Sequence, residues 1–230
     1  MLDTWLLYND LTTSPPGVGV PQLYANLSKN ASIPDVSGGV LWPDEVNKRF
    51  YLYGGEYNGI QPNTPTLLSY DVIYNQWEDF GPPDMAINSV SWGGGVGISE
   101  LGQGYMLGGW LSNASVAGWS GGPIATSTLI KYEMDDGVWT NNTGPDDVPK
   151  AEGVMVYLPA SESGLLVYFG GVTAPYNNAT MVESPMSTIY IYDIASTRWY
   201  TQTATGDVPL SRRRFCAGAA WAPDQSSYNM

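Results

Sequence analysis

An all-β fold of repeated four-stranded antiparallel sheets is what this sequence predicts, and three observations carry the prediction. The pattern Tyr-acid-five residues-Trp occurs three times, at Tyr70-Asp71-Trp77, Tyr132-Glu133-Trp139 and Tyr192-Asp193-Trp199. Each copy lies downstream of a Gly-Gly pair that closes an aromatic and aliphatic run: FYLYGG at Gly54-Gly55, GYMLGG at Gly108-Gly109 and LLVYFGG at Gly170-Gly171. The repeat interval is roughly 54–62 residues and carries strand-like segments, the mark of β-propeller blades.

Composition agrees. The 230 residues include 27 Gly, 17 Pro, 16 Tyr and 9 Trp, which suits short strands rich in aromatics and punctuated by tight turns. No long stretch shows apolar residues three and four apart, so long helices are not expected.

In the first complete repeat, Val40 to Trp42 forms a strand, Pro43-Asp44-Glu45 turns, and Phe50 to Tyr53 returns to Gly54-Gly55. The polar loop EYNGIQPNTPT leads to a third strand, Leu67 to Ile73, and a fourth starts near Trp77 and stops before Gly81-Pro82-Pro83. This scheme predicts blades at about 36–84, 85–146 and 150–207, with partial blades at 1–35 and 211–230 in a single domain. Trp5 to Leu11 resembles a third strand with Asp10 in the acid position, and a further strand is expected near Val20 to Tyr24. The terminal RRRFCAGAAWAPDQSSYNM resembles a first strand and turn. Two arrangements follow: the half-repeats close a fourth blade, or the chain is an open, incomplete piece of a longer propeller. The missing Gly-Gly strand favours the second.

The formal net charge is −13, from 22 acids against 9 bases. The one basic cluster is Arg212-Arg213-Arg214, too little to neutralise a phosphate backbone, so no nucleic-acid partner is expected. No apolar run approaches the roughly 20 residues of a membrane span, so direct membrane insertion by this segment is not expected. The first residues lack a positive region and an apolar core of signal-peptide type, which reads as cytoplasmic. Against that stand five Asn-x-Ser/Thr sequons, at Asn26, Asn30, Asn113, Asn141 and Asn178, where chance would give roughly two. The expectation is a glycoprotein of the secretory pathway or cell surface, with a cytoplasmic location as the alternative.

The repeated residues have structural work to do. Paired Gly residues at a strand end allow close backbone approach and positive φ. Tyr and Trp supply flat surfaces for contacts between neighbouring blades, and the acid beside each Tyr is expected to accept from turn donors.

These residues carry a resemblance. Gly-Gly, then Tyr-Asp, then Trp is the pattern of kelch repeats, and three copies cover most of the chain. The spacing, the sequons and the terminal RRRFCAGAAW passage are similar to fungal secreted or cell-surface kelch proteins, whose full-length members usually have more blades and an anchor. The resemblance implies a noncatalytic module that binds protein or carbohydrate. Kelch-like propellers also include the galactose oxidases, whose copper site takes His ligands. This chain contains no His, which excludes such a site and also Ser-His-Asp or Cys-His nucleophilic catalysis. The alternative is an enzyme or accessory enzyme with a site in the propeller channel. No catalytic residue, cofactor or metal ligand is assigned.

Weaker candidates are read conservatively. Asp135-Asp136 and Asp146-Asp147 are expected to be solvated turns, Cys216 a buried thiol in an apolar strand, and Arg212 to Arg214 the flank of a strand start. In blades of this topology, turns one-to-two and three-to-four share one face, and loops two-to-three and blade-to-blade share the other. The long segments Trp110 to Ser127 and Val172 to Ser187 fall on the second face, so binding is expected there. Trp110, Trp119 and Tyr176 are its candidate exposed aromatics, and the five sequons are expected in or beside its loops.

Overall fold

The computed structural model describes residues 5–10, 12, 23–28, 32–58, 66–176 and 178–230. Three four-stranded antiparallel sheets dominate it. The first contains strands Val40–Asp44, Arg49–Tyr53, Leu68–Asp71 and Gln76–Asp79; the second Gly94–Ile98, Gln103–Leu107, Thr128–Glu133 and Val138–Thr143; the third Val154–Leu158, Leu165–Phe169, Thr188–Asp193 and Arg198–Thr203. Strand order in each sheet follows the chain, the up-and-down meander expected of a propeller blade. Two two-stranded ribbons accompany them, Trp5–Asn9 with Leu23–Ser28 and Ala220–Trp221 with Tyr228–Asn229. Strands are therefore present at Trp5–Asn9 and Leu23–Ser28, while Leu11 and Val20 to Gln22 of the expected segments lie outside the described residues.

Register follows the repeated residues. Tyr70 stands opposite Trp77, Tyr132 opposite Trp139 and Tyr192 opposite Trp199, with ring centroids 5.3, 4.7 and 5.0 Å apart. Such cross-strand aromatic pairs contribute about 0.5–1.5 kcal/mol beyond their buried area. Asp71 accepts from the amides of Ile73 and Tyr74, and Asp193 from those of Ala195 and Ser196, closing the turn between third and fourth strands. Glu133 departs from this, pairing with the Lys131 ammonium instead.

The core lies between sheets. Val40, Trp42, Tyr51 and Tyr53 of the first blade pack on Ile130, Tyr132 and Trp139 of the second. Ile98, Tyr105, Leu107 and Leu129 of the second pack on Met155, Leu166, Tyr168 and Tyr192 of the third. Val156 and Val167 of the third meet Tyr228 of the C-terminal ribbon and Ala219 just before it. Trp42 is wholly buried, stacks on Tyr53 and Tyr132, and donates its indole N–H across the interface to the Tyr105 carbonyl at 3.0 Å. The Trp199 indole likewise donates to Thr143 of the preceding blade.

The first strands of the blades sit side by side, which explains the run WGGGVGI. A Cβ on Gly95 would lie 2.3 Å from Val40 Cγ2, so the second blade's inner strand fits its neighbour only as bare backbone. The Gly-Gly pair performs a related task at the end of each second strand, beside the head of the inner strand. Gly108 has φ +65, and a Cβ there would stand 2.1 Å from the Lys150 carbonyl oxygen, while the next amide, Gly109, donates to that oxygen at 2.8 Å. Gly55 donates in the same way to Val90, and Gly171 to Arg212. Each pair thus ties the end of one blade's second strand to the segment leading into the next blade.

Two expectations fail on packing. Cys216 is exposed, and residues 215–219 form no strand. Asp146 is engaged rather than merely solvated: it pairs with the ammonium of Lys150, which is 1% exposed and also lies 4.7 Å over the Tyr190 ring. Burial pushes the Lys150 pKa down, and the bond and charge of Asp146 oppose that shift. A buried cation of this kind requires a partner, and the DDVPK spacing supplies it.

Candidate functional site

The loop face carries additional short pairings: Val36–Ser37 with Glu56–Tyr57, Trp110–Leu111 with Ile124–Ala125, and Lys150–Ala151 with Val172–Thr173, which in turn pairs with Val182–Glu183. All arise from two-to-three loops and blade lead-ins. The elaboration expected from loop length therefore takes the form of β-ribbons.

Two residues ahead of each of the three inner strands stands a residue in left-handed conformation, Gly38 (φ +67), Trp92 (φ +58) and Glu152 (φ +62), and Arg214 (φ +53) takes the same conformation ahead of the C-terminal ribbon. The Trp92 amide donates to the Gly38 carbonyl at 2.7 Å, Glu152 to Trp92 at 2.6 Å, and Arg214 to Glu152 at 2.8 Å. A chain of backbone hydrogen bonds thus passes from repeat to repeat along equivalent positions. Left-handed geometry costs a non-glycine residue about 1–2 kcal/mol, so three such residues in register store strain, which characteristically gathers at functional sites. Gly38 has no choice, because a Cβ there would fall 2.5 Å from the Trp92 indole.

Their side chains converge. Glu152 is buried, and its Oε1 accepts from Arg214 Nη2 at 2.8 Å and from Trp110 Nε1 at 3.2 Å. Arg213 Nε lies 3.3 Å from Glu152 Oε2. The Arg214 guanidinium rests 4.0 Å over the Trp92 ring. Both arginines remain about half exposed, at 46% and 45%, against 2% for the Glu152 side chain. The buried carboxylate is thus a fixed anchor holding two guanidinium groups toward solvent. Beside them a cavity of about 170 Å³ is bordered by Glu56, Trp110, Pro123, Met181 and Arg214. Glu56 accepts from Ser91 Oγ at 3.2 Å.

The sequence candidates distribute unevenly around this cluster. Trp110 belongs to it but is 6% exposed, a correction to its reading as an exposed aromatic: its indole N–H serves Glu152, and its ring packs with Ala125, Ala151 and Val172. Trp119 is half-buried against the first core and donates to the Gly122 carbonyl. Tyr176 is exposed, at 64%. Asn113 and Asn178 are exposed on loop-face loops, whereas Asn141 is exposed within the strand Val138–Thr143, opposite Ile130. That position lies two residues before the strand ends, beside the segment that leads to the next blade. Asn26 falls in the strand Leu23–Ser28, and Asn30 lies outside the described residues. Arg213 and Arg214, read as strand flanks, provide the cluster's charge. Sequence reasoning misses Trp92 and Glu152; counting back two residues from the inner strands at Val40, Gly94 and Val154 reaches them.

Among the described residues, no group of three or more His, Cys, Asp or Glu side chains is placed to hold a metal ion. Nor is any helix long and apolar enough to cross a membrane.

Repeated four-stranded antiparallel sheets with Gly-Gly and Tyr-acid-Trp positions in register are consistent with kelch-type β-propeller blades. Over 252 aligned positions the chain is 29% identical to a kelch repeat-containing protein of Arthroderma benhamiae, across 92% of the chain. The chain spans 36% of that relative's length. No family model matches it.

Proposed function

We propose that the chain is a noncatalytic interaction module that binds a protein partner through its loop face, in the secretory pathway or at the cell surface. The similarity to a kelch repeat-containing protein supports a repeat-based interaction role. The observation that carries the reading is the strained Trp92-Glu152-Arg214 chain, which presents two half-exposed guanidinium groups beside the exposed Met181, with Tyr176 exposed on the same two-to-three loop. Arginine and aromatic side chains on a rigid support are the residue types that dominate protein interfaces. Glu152 is committed to two guanidinium groups and an indole N–H, an anchoring rather than proton-transfer role.

The test compares the wild-type chain with a double variant, Tyr176→Ala with Met181→Ala, both exposed positions outside the Glu152 ion pairs, Met181 giving up only the contact of its Sδ with Arg213 Nη1. Each protein is offered the organism's secreted and surface proteins and, separately, a glycan array. A saturable protein ligand bound by wild type and weakened at least tenfold in the double variant supports the proposal. Glycan binding alone assigns the face to carbohydrate, and ligands retained equally by both proteins overturn the site.

A further inference from the structure

The inner strands end, at the face opposite the arginine cluster, around a second and larger cavity of about 450 Å³. Its wall includes Leu41, Val156 and Trp221, and Leu41 and Trp221 are unusually exposed for such side chains, at 58% and 43%. Glu45 and Glu100 stand at its rim, on the turns following the inner strands of the first and second blades. No Lys or Arg lines it, and among the described residues neither glutamate has an ion-pair partner.

The rim is held in place. Ser99 Oγ donates to the Pro43 carbonyl and accepts from the Glu45 amide, both at 3.1 Å, coupling the two turns across the blade boundary. Glu100 is also close enough to Tyr157, another lining residue, to add to the effect of burial in raising its phenol pKa. The cavity size falls within the range of small-molecule sites, and such sites combine an apolar wall with a few fixed polar groups. An apolar wall with two unpaired carboxylates at the rim is complementary to a molecule that is apolar at one end and cationic at the other.

We propose that this cavity binds a small amphiphilic primary ammonium ion, its hydrocarbon or aryl group against Leu41, Val156 and Trp221 and its ammonium at Glu45 and Glu100. The site is separate from the loop face and does not depend on the function proposed for it.

The test is calorimetric titration near neutral pH with three probes of one shape: 2-phenylethylammonium, 2-phenylethanol and phenylacetate. The ammonium is expected to bind saturably, the alcohol about fivefold more weakly, a margin suited to charge pairing at an exposed rim, and the carboxylate not at all. In Glu45→Gln/Glu100→Gln the ammonium should fall to the affinity of the alcohol. The Ser99 bond reaches the Glu45 backbone, so the variant retains the rim. A Trp221→Ala variant should weaken ammonium and alcohol alike, while Tyr176→Ala and Met181→Ala change neither. Equal affinity for ammonium and alcohol, no effect of the double glutamine variant, or no saturable ammonium binding up to about 10 mM overturns the proposal.

Discussion

Glu152 and Arg214 occupy the same left-handed backbone position in successive repeats, and they meet twice. The Arg214 amide donates to the Glu152 carbonyl at 2.8 Å, and the Arg214 guanidinium donates to the Glu152 carboxylate at 2.8 Å. The backbone bond belongs to the repeat, since Trp92 and Glu152 make its counterpart. The side-chain bond belongs to this pair alone. A fold-level linkage has thereby become the support for a charged surface.

Substitution of Glu152 separates these two levels. Alanine keeps φ at +62 without any side-chain acceptor, leaving the Trp110 indole and both guanidinium groups without their carboxylate. Glycine loses the same acceptor but relieves the backbone. Glu152→Ala is expected to cost about 2–3 kcal/mol, discounted from a fully buried pair because the arginines are half exposed. Glu152→Gly is expected to cost about 1 kcal/mol less. Urea melts of the two variants check the order; equal midpoints would show that the conformation is unstrained.

The blades were legible because their residues recur in identity: Gly108 with Gly54 and Gly170, and Trp139 with Trp77 and Trp199, hold the same geometry for the same physical reason. The left-handed position was not legible, because Gly38, Trp92, Glu152 and Arg214 share a conformation and no chemistry. Its geometry is imposed by hydrogen bonds to residues some 60 positions away in the chain, and local propensity argues against it. Trp110 was misread for a related cause. It lies at the start of a long polar segment, and only its pairing with Ala125 and the approach of Glu152 bury it. The thiol of Cys216 was misread in the opposite sense: its apolar neighbours suggest a core strand, but the backbone there does not pair.

Two glycines of similar φ should respond very differently to substitution. Gly108→Ala drives a methyl to within 2.1 Å of the Lys150 carbonyl, and about 3 kcal/mol or more of destabilisation is expected from strain and the lost link between blades. Gly137 has φ +70, and a Cβ there would meet nothing within 4 Å; it closes the same turn as Asn75 and Thr197, both at positive φ. Gly137→Asn is therefore expected within about 0.5 kcal/mol of wild type. Denaturation midpoints of the pair provide the check, and a tolerated Gly108→Ala would contradict the tie between strand end and lead-in.

Glycan occupancy tests the proposed secretory setting. Produced in a secretory host, the chain is expected to carry N-glycans at Asn113 and Asn178, whose side chains are exposed in loops. Peptide mapping after enzymatic deglycosylation in heavy-oxygen water reads each site as a mass increment on Asn. Unmodified asparagine at both sites would remove the support that these sequons lend to a surface role.

The aromatic core fixes the response to alkali. Burial raises the phenol pKa of Tyr53, Tyr105 and Tyr168 far above the usual value of 10, and that of Tyr132 to about 12. The folded state therefore holds these protons at a pH where the unfolded chain releases them. Their contribution to stability is fully present below pH 10 and is lost as pH rises toward the folded values. Lys150 acts in the opposite direction, since burial lowers its pKa and stability gains as pH rises between the lowered and usual values. The Lys150 gain is complete near its usual value, so above that pH the four raised phenols act unopposed and give a loss of up to about 5 kcal/mol per pH unit, at roughly 1.4 kcal/mol per proton. Ultraviolet absorbance of the phenolates and circular dichroism, followed together through alkaline titration, should show the buried tyrosines ionising in one step with loss of the sheets. Ionisation of all tyrosines near pH 10 with the sheets intact would mean that the interfaces between blades admit water.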